Sequence, residues 1–599
     1  MWQYLASILF LLLFHPSLFL TAAGCPLRST ARPGCREFDF VLSWQQHELA
    51  GLASPMFLIN GQSPGPVIEV DQDDWVVLHV CIDMTNTPWS DGVPGVTQRA
   101  IPPGANFTYK FQATQYGSYW YHSHYAAQIE DGLYGPVVIH PRPDIPKPFH
   151  LISRDPLVRA AMESAERDVR PLILYDHTHL TSEHKSAITP KAGVEITCYD
   201  AILFNGKGRV RCLPEEEMTA HLSPVQRADL ALVPGEKLTD RGCLPAIVLA
   251  AFGGDAKAFV PSAMPNGIYE GCKETNGSTE VIRAPRRSRN RWVALDIIGG
   301  FNFMSGVVAI DGHEMWVYAA DGSYIEPQRV HALPISNGER YSVLIETQHS
   351  GEFPIRCHAT SAPQTIVGNA ILQVPGKICN YSEPPRQWID IIGGPLSKDV
   401  VYFNHTIAYP YPPEPVAPRA DSLHVLNMKL NGASYLWAMN SSGLDPAVLD
   451  HEEPIILFHP DAAATRNGNF TILSAKDAWI DLVFYASTYP MPPHPIHKHG
   501  VKMFVIGSGT GPFKWKSVDD AVKDIPHRFN LVNPPRRDTV VSLPSVTEPS
   551  WVAVRYHASS PGAWMLHCHI SNHMVGGMNM IILEGLEEWP TVPTEYIGY

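Results

Sequence analysis

Apolar and polar residues alternate in short runs along most of the chain, and Gly, Pro or Asn residues separate the runs. Residues 107–111, 341–345 and 551–556 are clear examples. Alternation with a period of two is typical of β-strands that bury one face. Residues 156–169 differ, because Ala and Met residues cluster there, and they predict one short helix. The pattern as a whole predicts an all-β chain built from many short strands.

A repeated segment follows each of these three runs. The copies begin at Gly117, Gly351 and Gly562, and in each copy the positions five and seven residues after the Gly carry the distinctive side chains. An Asn-Gly turn also occurs once early in each unit, in the same order. The chain is therefore predicted to contain three related β-rich units, each a Greek-key sandwich or barrel.

The N-terminal residues have the pattern of a secretory signal peptide, predicted to span residues 1–23. Residues 4–14 are almost entirely apolar, and small residues follow at positions 21–23. The apolar stretch is too short for a good membrane span, so a short anchor is the alternative, and no stable span is predicted elsewhere. Six Asn-x-Ser/Thr sites predict a secreted glycoprotein with N-glycans at some of them: Asn106, Asn276, Asn380, Asn404, Asn440 and Asn469.

Composition narrows the class of protein without changing the predicted fold. The 599 residues are 45% hydrophobic and 17% charged, which supports packed cores in several domains. A net charge of −14 makes nucleic acid an improbable partner, and we interpret the basic run at residues 283–291 as a surface loop. If Cys568 binds a metal, nine of the ten Cys residues remain for disulfides. Sequence proximity suggests the pairs Cys25–Cys35 and Cys198–Cys212.

Histidine is concentrated near the third repeat, where eight of the 27 His residues fall within 80 residues. Because successive side chains of a strand point to opposite faces, Cys568 faces one way and His567 and His569 face the other. Cys568 can then join His573, a distant His and the thioether of Met578 in a blue-copper ligand set. A structural zinc site is the alternative, but it needs four strong ligands.

Three His-x-His pairs occupy related positions in the first and third units, and together they indicate further metal ligands. The pairs are His122 with His124, His497 with His499, and His567 with His569. The middle copy has Arg356 and His358 at the equivalent positions, so we expect the middle unit to have lost any metal role.

These motifs resemble those of the multicopper oxidases. HPIHKHG at residues 494–500 and HCHISNH at residues 567–573 are similar to the family's ligand motifs. Residues 87–98 and 120–135 resemble the filamentous-fungal laccase and ascorbate-oxidase-like branch. The resemblance covers nearly the whole chain after the signal peptide. It implies three cupredoxin domains, expected at residues 36–141, 142–382 and 383–599.

The resemblance also implies roles for individual residues. Type 1 copper would be held by His494, Cys568 and His573, with Met578 axial. Type 2 copper would be held by His497. The type 3 pair would be held by His122, His124, His499, His567 and His569. Asp91 would be a proton donor near these coppers; the alternative is an ordinary turn Asp before Gly92.

The activity that the resemblance implies is that of a secreted, monomeric, laccase-like oxidase. Such an enzyme couples the one-electron oxidation of small phenols to the reduction of O₂ to water. In the fungal branch the phenols often belong to pigment or other secondary metabolism. Electrons would pass from Cys568 to the type 3 coppers through His567 and His569.

One expected motif is missing. The family has four His-x-His motifs, and the first should precede Thr87, but only His79 lies shortly before it. A skipped exon or a mistaken gene model would explain the loss, and so would a truly altered protein. The second explanation would make the chain a type 1 copper protein with an incomplete cluster and no oxidase activity. If the chain is an oxidase, a ferroxidase is the alternative to a phenol oxidase, although Ser571 stands where iron-oxidising relatives often have an acid.

A further group of polar residues lies early in the middle unit, at His177, His179, Glu183 and His184. These residues could form an extra site, with Glu183 orienting a substrate. An ordinary surface loop is the alternative.

Overall fold

The computed structural model describes residues 34–78, 87–285, 291–376, 384–440, 455–461 and 471–597. The predicted signal peptide, His79, and the sites Asn380 and Asn469 lie outside these residues. Strands dominate the described residues, and the helices are few and short. The all-β prediction is confirmed, while the bounds of the three domains stay a prediction.

The first unit consists of small sheets in which β1-β5-β6, β4-β8-β7 and β2-β3 are the neighbours. Its strands are β1 (Cys35–Phe38), β2 (Leu42–Leu49), β3 (Leu52–Ile59), β4 (Ile68–Asp71), β5 (Trp75–Leu78), β6 (Tyr109–Gln112), β7 (Gly117–His122) and β8 (Tyr134–His140).

The middle unit is a sandwich of a six-stranded and a five-stranded sheet. Its strands are β9 (Arg170–His177), β10 (Ala201–Phe204), β11 (Val281–Arg283), β12 (Trp292–Gly299), β13 (Gly306–Ile310), β14 (Met315–Ala320), β15 (Ser323–Val330), β16 (Ala332–Ile335), β17 (Arg340–Glu346), β18 (Gly351–Ala359) and β19 (Val367–Val374). The strand orders are β10-β9-β12-β17-β14-β15 and β11-β19-β18-β13-β16.

The third unit repeats the topology of the middle unit strand for strand. Its strands are β20 (Ser422–Leu430), β21 (Trp437–Met439), β22 (Thr471–Ser474), β23 (Trp479–Ala486), β24 (Pro495–Lys498), β25 (Met503–Thr510), β26 (Arg536–Arg537), β27 (Thr539–Val541), β28 (Ser550–His557), β29 (Gly562–Cys568) and β30 (Asn579–Glu584). The orders are β21-β20-β23-β28-β25-β26 and β22-β30-β29-β24-β27. The three Gly-containing segments form β7, β18 and β29, so the sequence repeat is also a structural repeat.

Among its described residues, the first unit shows no counterpart of β24, the strand that carries His497. In the third unit, β24 pairs with β29 and carries His497. In the first unit, β7 corresponds to β29, but the described residues between β5 and β6 form no strand beside it. The sequence lacks the expected His-x-His segment in this interval, and residues 79–86 of the interval lie outside the described residues.

The helices lie in connections between strands. The predicted helix is confirmed as Pro156–Arg167, and the Asp155 side chain accepts a hydrogen bond from the Leu157 amide at its start. The other α-helices are Ser182–Ala192, Glu215–Ala220, Pro224–Leu230, Ala246–Phe252, Val518–Asp524 and Ser571–Val575. Short 3₁₀ turns include Pro88–Ser90, Ile456–Phe458, Leu586–Glu588 and Thr594–Tyr596. Within the described part of the chain, no helix has the length and apolar character needed to cross a membrane.

The suggested pairing of Cys198 with Cys212 is wrong. Cys198 is bonded to Cys243, and Cys212 is bonded to Cys272. The extended strand β10 lies between Cys198 and Cys212 and carries them apart, so each pairs with a residue distant in sequence. Cys25 lies outside the described residues, so its suggested pairing with Cys35 is not described.

A buried guanidinium connects all three units. Arg340 begins β17 of the middle unit and is 3% exposed. Its Nη1 and Nη2 donate to Oδ1 and Oδ2 of Asp538 in the third unit at 2.5 and 2.7 Å. Its Nε donates to the carbonyl oxygen of Ser118 in β7 at 3.0 Å. A bidentate pair of this kind fixes orientation as well as distance, so Arg340 sets the relative position of the three units.

Replacing Arg340 with Met is expected to lower the free energy of unfolding by about 3–5 kcal/mol, because Asp538 would remain buried without its partner. Chemical denaturation of the full chain measures the change. Lys237→Met is the matched control, since Lys237 and its partner Glu215 are both largely exposed, and little change is expected there. Equally small effects of the two variants would contradict the role given to Arg340.

Candidate metal centres

One candidate metal centre lies inside the third unit, where His494, Cys568 and His573 converge. The Sγ of Cys568 lies 3.7 Å from Nδ1 of His494 and 3.8 Å from Nδ1 of His573. The two Nδ1 atoms are 3.1 Å apart. All three side chains are buried. Two imidazole nitrogens and a thiol thus face one small space, as the alternation of residues around Cys568 predicted.

Backbone hydrogen bonds fix the elements that carry these ligands. Cys568 ends β29, and the helix Ser571–Val575 brings His573 back toward it. The amide of Cys568 donates to the carbonyl of Met578, and the amide of Met578 donates to the carbonyl of His573. The predicted axial residue Met578 is therefore buried in the loop that closes the centre.

Aromatic and thioether groups surround the same centre. The indole of Trp437 lies 4.1 Å from the His573 ring and 5.1 Å from the His494 ring, centroid to centroid. The Sδ of Met491 lies 3.3 Å from Nε2 of His494. Sequence reasoning missed both residues, because each reaches the centre from a separate strand or loop.

A second candidate centre lies between the first and third units. His122 and His124 come from β7 and the residues that follow it, and four imidazoles come from the third unit: His497, His499, His567 and His569. The Nε2 atoms of His499 and His567 are 3.3 Å apart. Ring centroids of His124 lie 4.8 Å from His499 and 5.3 Å from His567. The structure therefore brings together every His of the three predicted pairs.

The six imidazoles do not form one equally tight group. Metal-binding atoms of His124, His499 and His567 all lie within 4.8 Å of one another. His122, His497 and His569 form no group that meets this criterion, although the ring centroid of His569 lies 5.0 Å from that of His122 and 5.8 Å from that of His497. Among the described residues, the only two groups of three that meet this criterion are His124–His499–His567 and His494–Cys568–His573.

Polar groups behind the rings fix which nitrogen faces the shared space. Nδ1 of His499 lies 2.9 Å from Oδ1 of the buried Asp91. Nδ1 of His497 lies 3.0 Å from the carbonyl oxygen of Asp538, and Nδ1 of His567 lies 2.9 Å from the carbonyl oxygen of Cys568. A proton on Nδ1 leaves Nε2 unprotonated toward the centre.

The position of Asp91 is compatible with both interpretations from the sequence, a turn residue and a proton donor near the coppers. It follows the turn Pro88–Ser90 and precedes Gly92, and its carboxylate also contacts a predicted ligand. Its role as a proton donor stays a prediction.

Burial favours the neutral form of five of these six imidazoles. It lowers the pKa of His122 to about 4 and holds the pKa values of four other rings well below their usual range: His124, His497, His567 and His569. Neutral imidazole is the form that binds metal ions. A cavity of about 110 Å³ adjoins the rings, and Tyr119, Arg340 and Lys502 contribute to its wall.

The two centres are covalently connected through Cys568. Its side chain belongs to the first centre, while the neighbouring His567 and His569 belong to the second. The equivalent positions of the middle unit carry no such group: Arg356 pairs with Asp311 at 2.7 Å, and His358 Nδ1 lies 2.7 Å from the Asp390 carbonyl oxygen. These contacts give both side chains a structural partner.

A carboxylate that sequence reasoning did not identify lies beside the first centre. Oε2 of Glu195 is 3.5 Å from Nε2 of His573, and Glu195 is 7% exposed. The residue suggested for this side, Glu183, is exposed on the helix Ser182–Ala192. No motif surrounds Glu195, and only the fold brings it to His573.

The three His residues of the possible extra site do not converge. His177 is buried in β9, His179 pairs with Asp200, and His184 contacts the Thr181 hydroxyl. They form no metal-binding group among the described residues.

Comparison with known proteins was consistent across sequence and structure. Family models described as multicopper oxidase match residues 42–144, 168–377 and 448–588. Laccase abr2 of Aspergillus fumigatus is 34% identical over 597 residues, covering 97% of this chain and 99% of that protein. Laccase 1 of Metarhizium majus is 34% identical over 586 residues, covering 93% and 95%. The crystal structure of a laccase from Botrytis aclada superposes with a TM-score of 0.66 at 22% identity, covering 95% of this chain and 91% of that one.

The pair formed by His179 and Asp200 makes a pH-dependent contribution to stability. The hydrogen bond that His179 donates to the Asp200 carboxylate raises the pKa of His179. The stabilisation is therefore complete below the pKa of His179 in the unfolded chain and is lost as pH rises through the folded-state pKa. We expect His179→Gln to destabilise the protein more at about pH 5 than at about pH 8. Denaturation at the two pH values measures this, with His184→Gln as control. An equal effect at both values would contradict it.

Proposed function

Because the chain belongs to the multicopper oxidase family, whose members are copper oxidoreductases with O₂ as electron acceptor, we propose that it is a laccase-like oxidase of small phenols. The observation that carries the proposal is the covalent connection between the two centres. Cys568 contributes its thiol to one centre, and the residues on either side of it contribute imidazoles to the other. A path of this kind can move electrons from a donor site to an O₂ site through a few bonds.

The first centre fits a type 1 copper. The donor set is a thiol and two imidazoles with their Nδ1 atoms turned toward it, which is the set that such copper sites use. Two Nδ1 atoms 3.1 Å apart need either a shared proton or a metal ion between them. His494, Cys568 and His573 would hold the ion, and the buried thioether of Met578 would be a weaker ligand.

The second centre fits copper in part. His124, His499 and His567 would hold one type 3 ion with a full set of three imidazoles. His122 and His569 would share the other type 3 ion, and His497 would hold the type 2 ion, each with fewer imidazoles than the resemblance implies. This shortage of imidazoles follows from the absence of the first His-x-His motif from the sequence.

Copper, when bound, supplies the one-electron chemistry that takes electrons from phenols and reduces O₂ to water. The residues of the chain position that chemistry. The cavity of about 110 Å³, which five of the six imidazoles line, has room for O₂. Asp91 orients His499. The reduction of O₂ consumes protons, and the buried carboxylate of Asp91 can pass a proton into the cavity.

Glu195 is the residue that we assign to the phenol. A phenol that loses one electron also loses its hydroxyl proton, and a carboxylate at that position can accept it. Oε2 of Glu195 lies 3.5 Å from His573, while Oε1 has no hydrogen-bond partner among the described residues. Oε1 is buried, so the phenol would have to displace the groups that cover it before Oε1 could accept the phenol proton.

The predicted export of the protein belongs to the same proposal. A laccase-like enzyme acting on phenols outside the cell agrees with the signal-peptide pattern and the sequons. Asn106, Asn276 and Asn404 are exposed, so their side chains can carry glycans without opening the core. We also propose that the protein acts as a monomer.

A second candidate function follows from the incomplete second centre. With only one tight group of three imidazoles there, the chain could bind type 1 copper and transfer electrons without reducing O₂. Ferroxidase activity has less support, because Ser571 supplies no carboxylate at the position where iron-oxidising relatives often have an acid, and Glu195 is the acid that the structure places beside His573.

The copper-loaded protein is expected to be blue, to consume O₂ with a simple phenol such as 2,6-dimethoxyphenol, and to produce water rather than peroxide. Oxygen-electrode measurements with and without catalase check this. A blue protein that consumes no O₂ would favour the electron-transfer candidate, and a colourless protein would contradict both.

Two Cys variants provide a matched control. Cys568→Ser should abolish both the blue colour and O₂ uptake. Cys357→Ser changes an equally buried thiol at the equivalent position of β18 and should leave both unchanged. Loss of colour in Cys357→Ser would contradict the assignment of type 1 copper to the third unit.

Glu195→Gln is expected to lower kcat/KM for phenols by about 100-fold, because the proton acceptor is lost. Oxidation of hexacyanoferrate(II), which releases an electron and no proton, should change little. Steady-state kinetics with both donors separates proton acceptance from electron transfer. Glu183→Gln is the control at an exposed carboxylate; an equal loss for the two donors in Glu195→Gln would contradict the role of Glu195.

A further inference from the structure

We propose that the segment after β30 clamps the first unit onto the third, and that Tyr596 thereby positions the second metal centre through Trp89 and Asp91. The clamp is a structural device of the described chain, and only its consequence for metal binding rests on the proposed function. Two segments support the clamp, and they cross the boundary between the first and third units in opposite directions.

The first crossing takes the segment after β30 out of the third unit and into the first. Tyr596 is 4% exposed and belongs to the apolar core of the first unit. Its ring centroid lies 5.5 Å from that of Phe107 and 6.2 Å from that of Trp89. Val592 packs against the same core and also against a core of the third unit. An aromatic side chain that one unit buries in the core of another contributes strongly to the contact between the two units.

The second crossing takes a turn of the first unit into the third. Val93 and Val96 are buried against Ala563 and Met565 of β29 and against Ile581 of β30. The turn is also hydrogen-bonded there, because the amide of Leu457 donates to the carbonyl oxygen of Val96 at 2.9 Å.

Trp89 joins the two crossings. It packs against the core that holds Tyr596 and against the core that holds Val93 and Val96. Two residues later, Asp91 contacts Nδ1 of His499 at 2.9 Å. A movement of Tyr596 would therefore shift Trp89 and, with it, the carboxylate that orients a predicted ligand.

The clamp matters because of how the imidazoles are shared. Among the described residues, the first unit supplies His122 and His124, and the third unit supplies the other four imidazoles. The tight group of three includes one imidazole from the first unit, so it forms only while the two units stay in register. Groups that hold a ligand ring in place typically change metal affinity by about 10–100-fold when they are lost.

Hydrogen–deuterium exchange of the full-length protein, with and without copper, tests the clamp. Tyr596→Ala should speed exchange in residues 87–98 by about tenfold or more while residues 340–346 of the middle unit stay unchanged. Tyr596→Phe keeps the ring and should behave like the wild type, as should Ile597→Ala, whose side chain is 57% exposed. Val592→Ala is the milder variant if Tyr596→Ala does not fold.

Copper analysis of the same variants gives the second readout. Tyr596→Ala should lose copper from the second centre and keep the blue colour of the first. Unchanged exchange in residues 87–98, or an equal increase in all three units, would overturn the clamp. If the wild type itself binds copper only at the first centre, the proposed oxidase function fails, and the exchange data still decide whether the clamp exists.

Discussion

Six imidazoles from the first and third units face one small space, and contacts between neutral rings are too weak to hold the two units in place. Their arrangement depends on the contact between those units being fixed to a fraction of an ångström. The structure meets this constraint with polar pairs that cross the boundary, of which Arg340–Asp538 and Asp91–His499 are the most direct. Buried pairs of this kind add little net stability, but they penalise any other arrangement strongly. The metal centre is therefore a property of the interface as much as of the ligands.

The first centre does not depend on the contact between units, so its ligands meet more simply than those of the second centre. His494, Cys568 and His573 all belong to the third unit, and Met578 closes the loop between them through backbone hydrogen bonds. No boundary needs to be held for these side chains to meet. A chain with a weakened second centre can thus retain the first, which is why the oxidase and electron-transfer candidates share one site and differ in the other.

Much of the fold could be predicted from the sequence, because strand alternation and the repeated Gly segment are local signals. Alternation also separated Cys568 from His567 and His569 correctly, since a strand has only two faces. The rest depends on contacts between residues far apart in sequence. Glu195, Trp437 and Tyr596 lie in no motif, and each reaches its partner only through the tertiary fold. The disulfide partner of Cys198 could not be predicted for the same reason. The missing first-unit motif stays a prediction from the sequence, because residues 79–86 lie outside the described part of the chain.

The central claim is that copper binds both inside the third unit and between the first and third units. Anomalous diffraction at the copper edge from crystals of the copper-loaded protein tests it directly. The account predicts one peak among His494, Cys568 and His573 and at least one further peak among His124, His499 and His567. A peak at the first position alone would contradict the claim that the interface forms a metal centre.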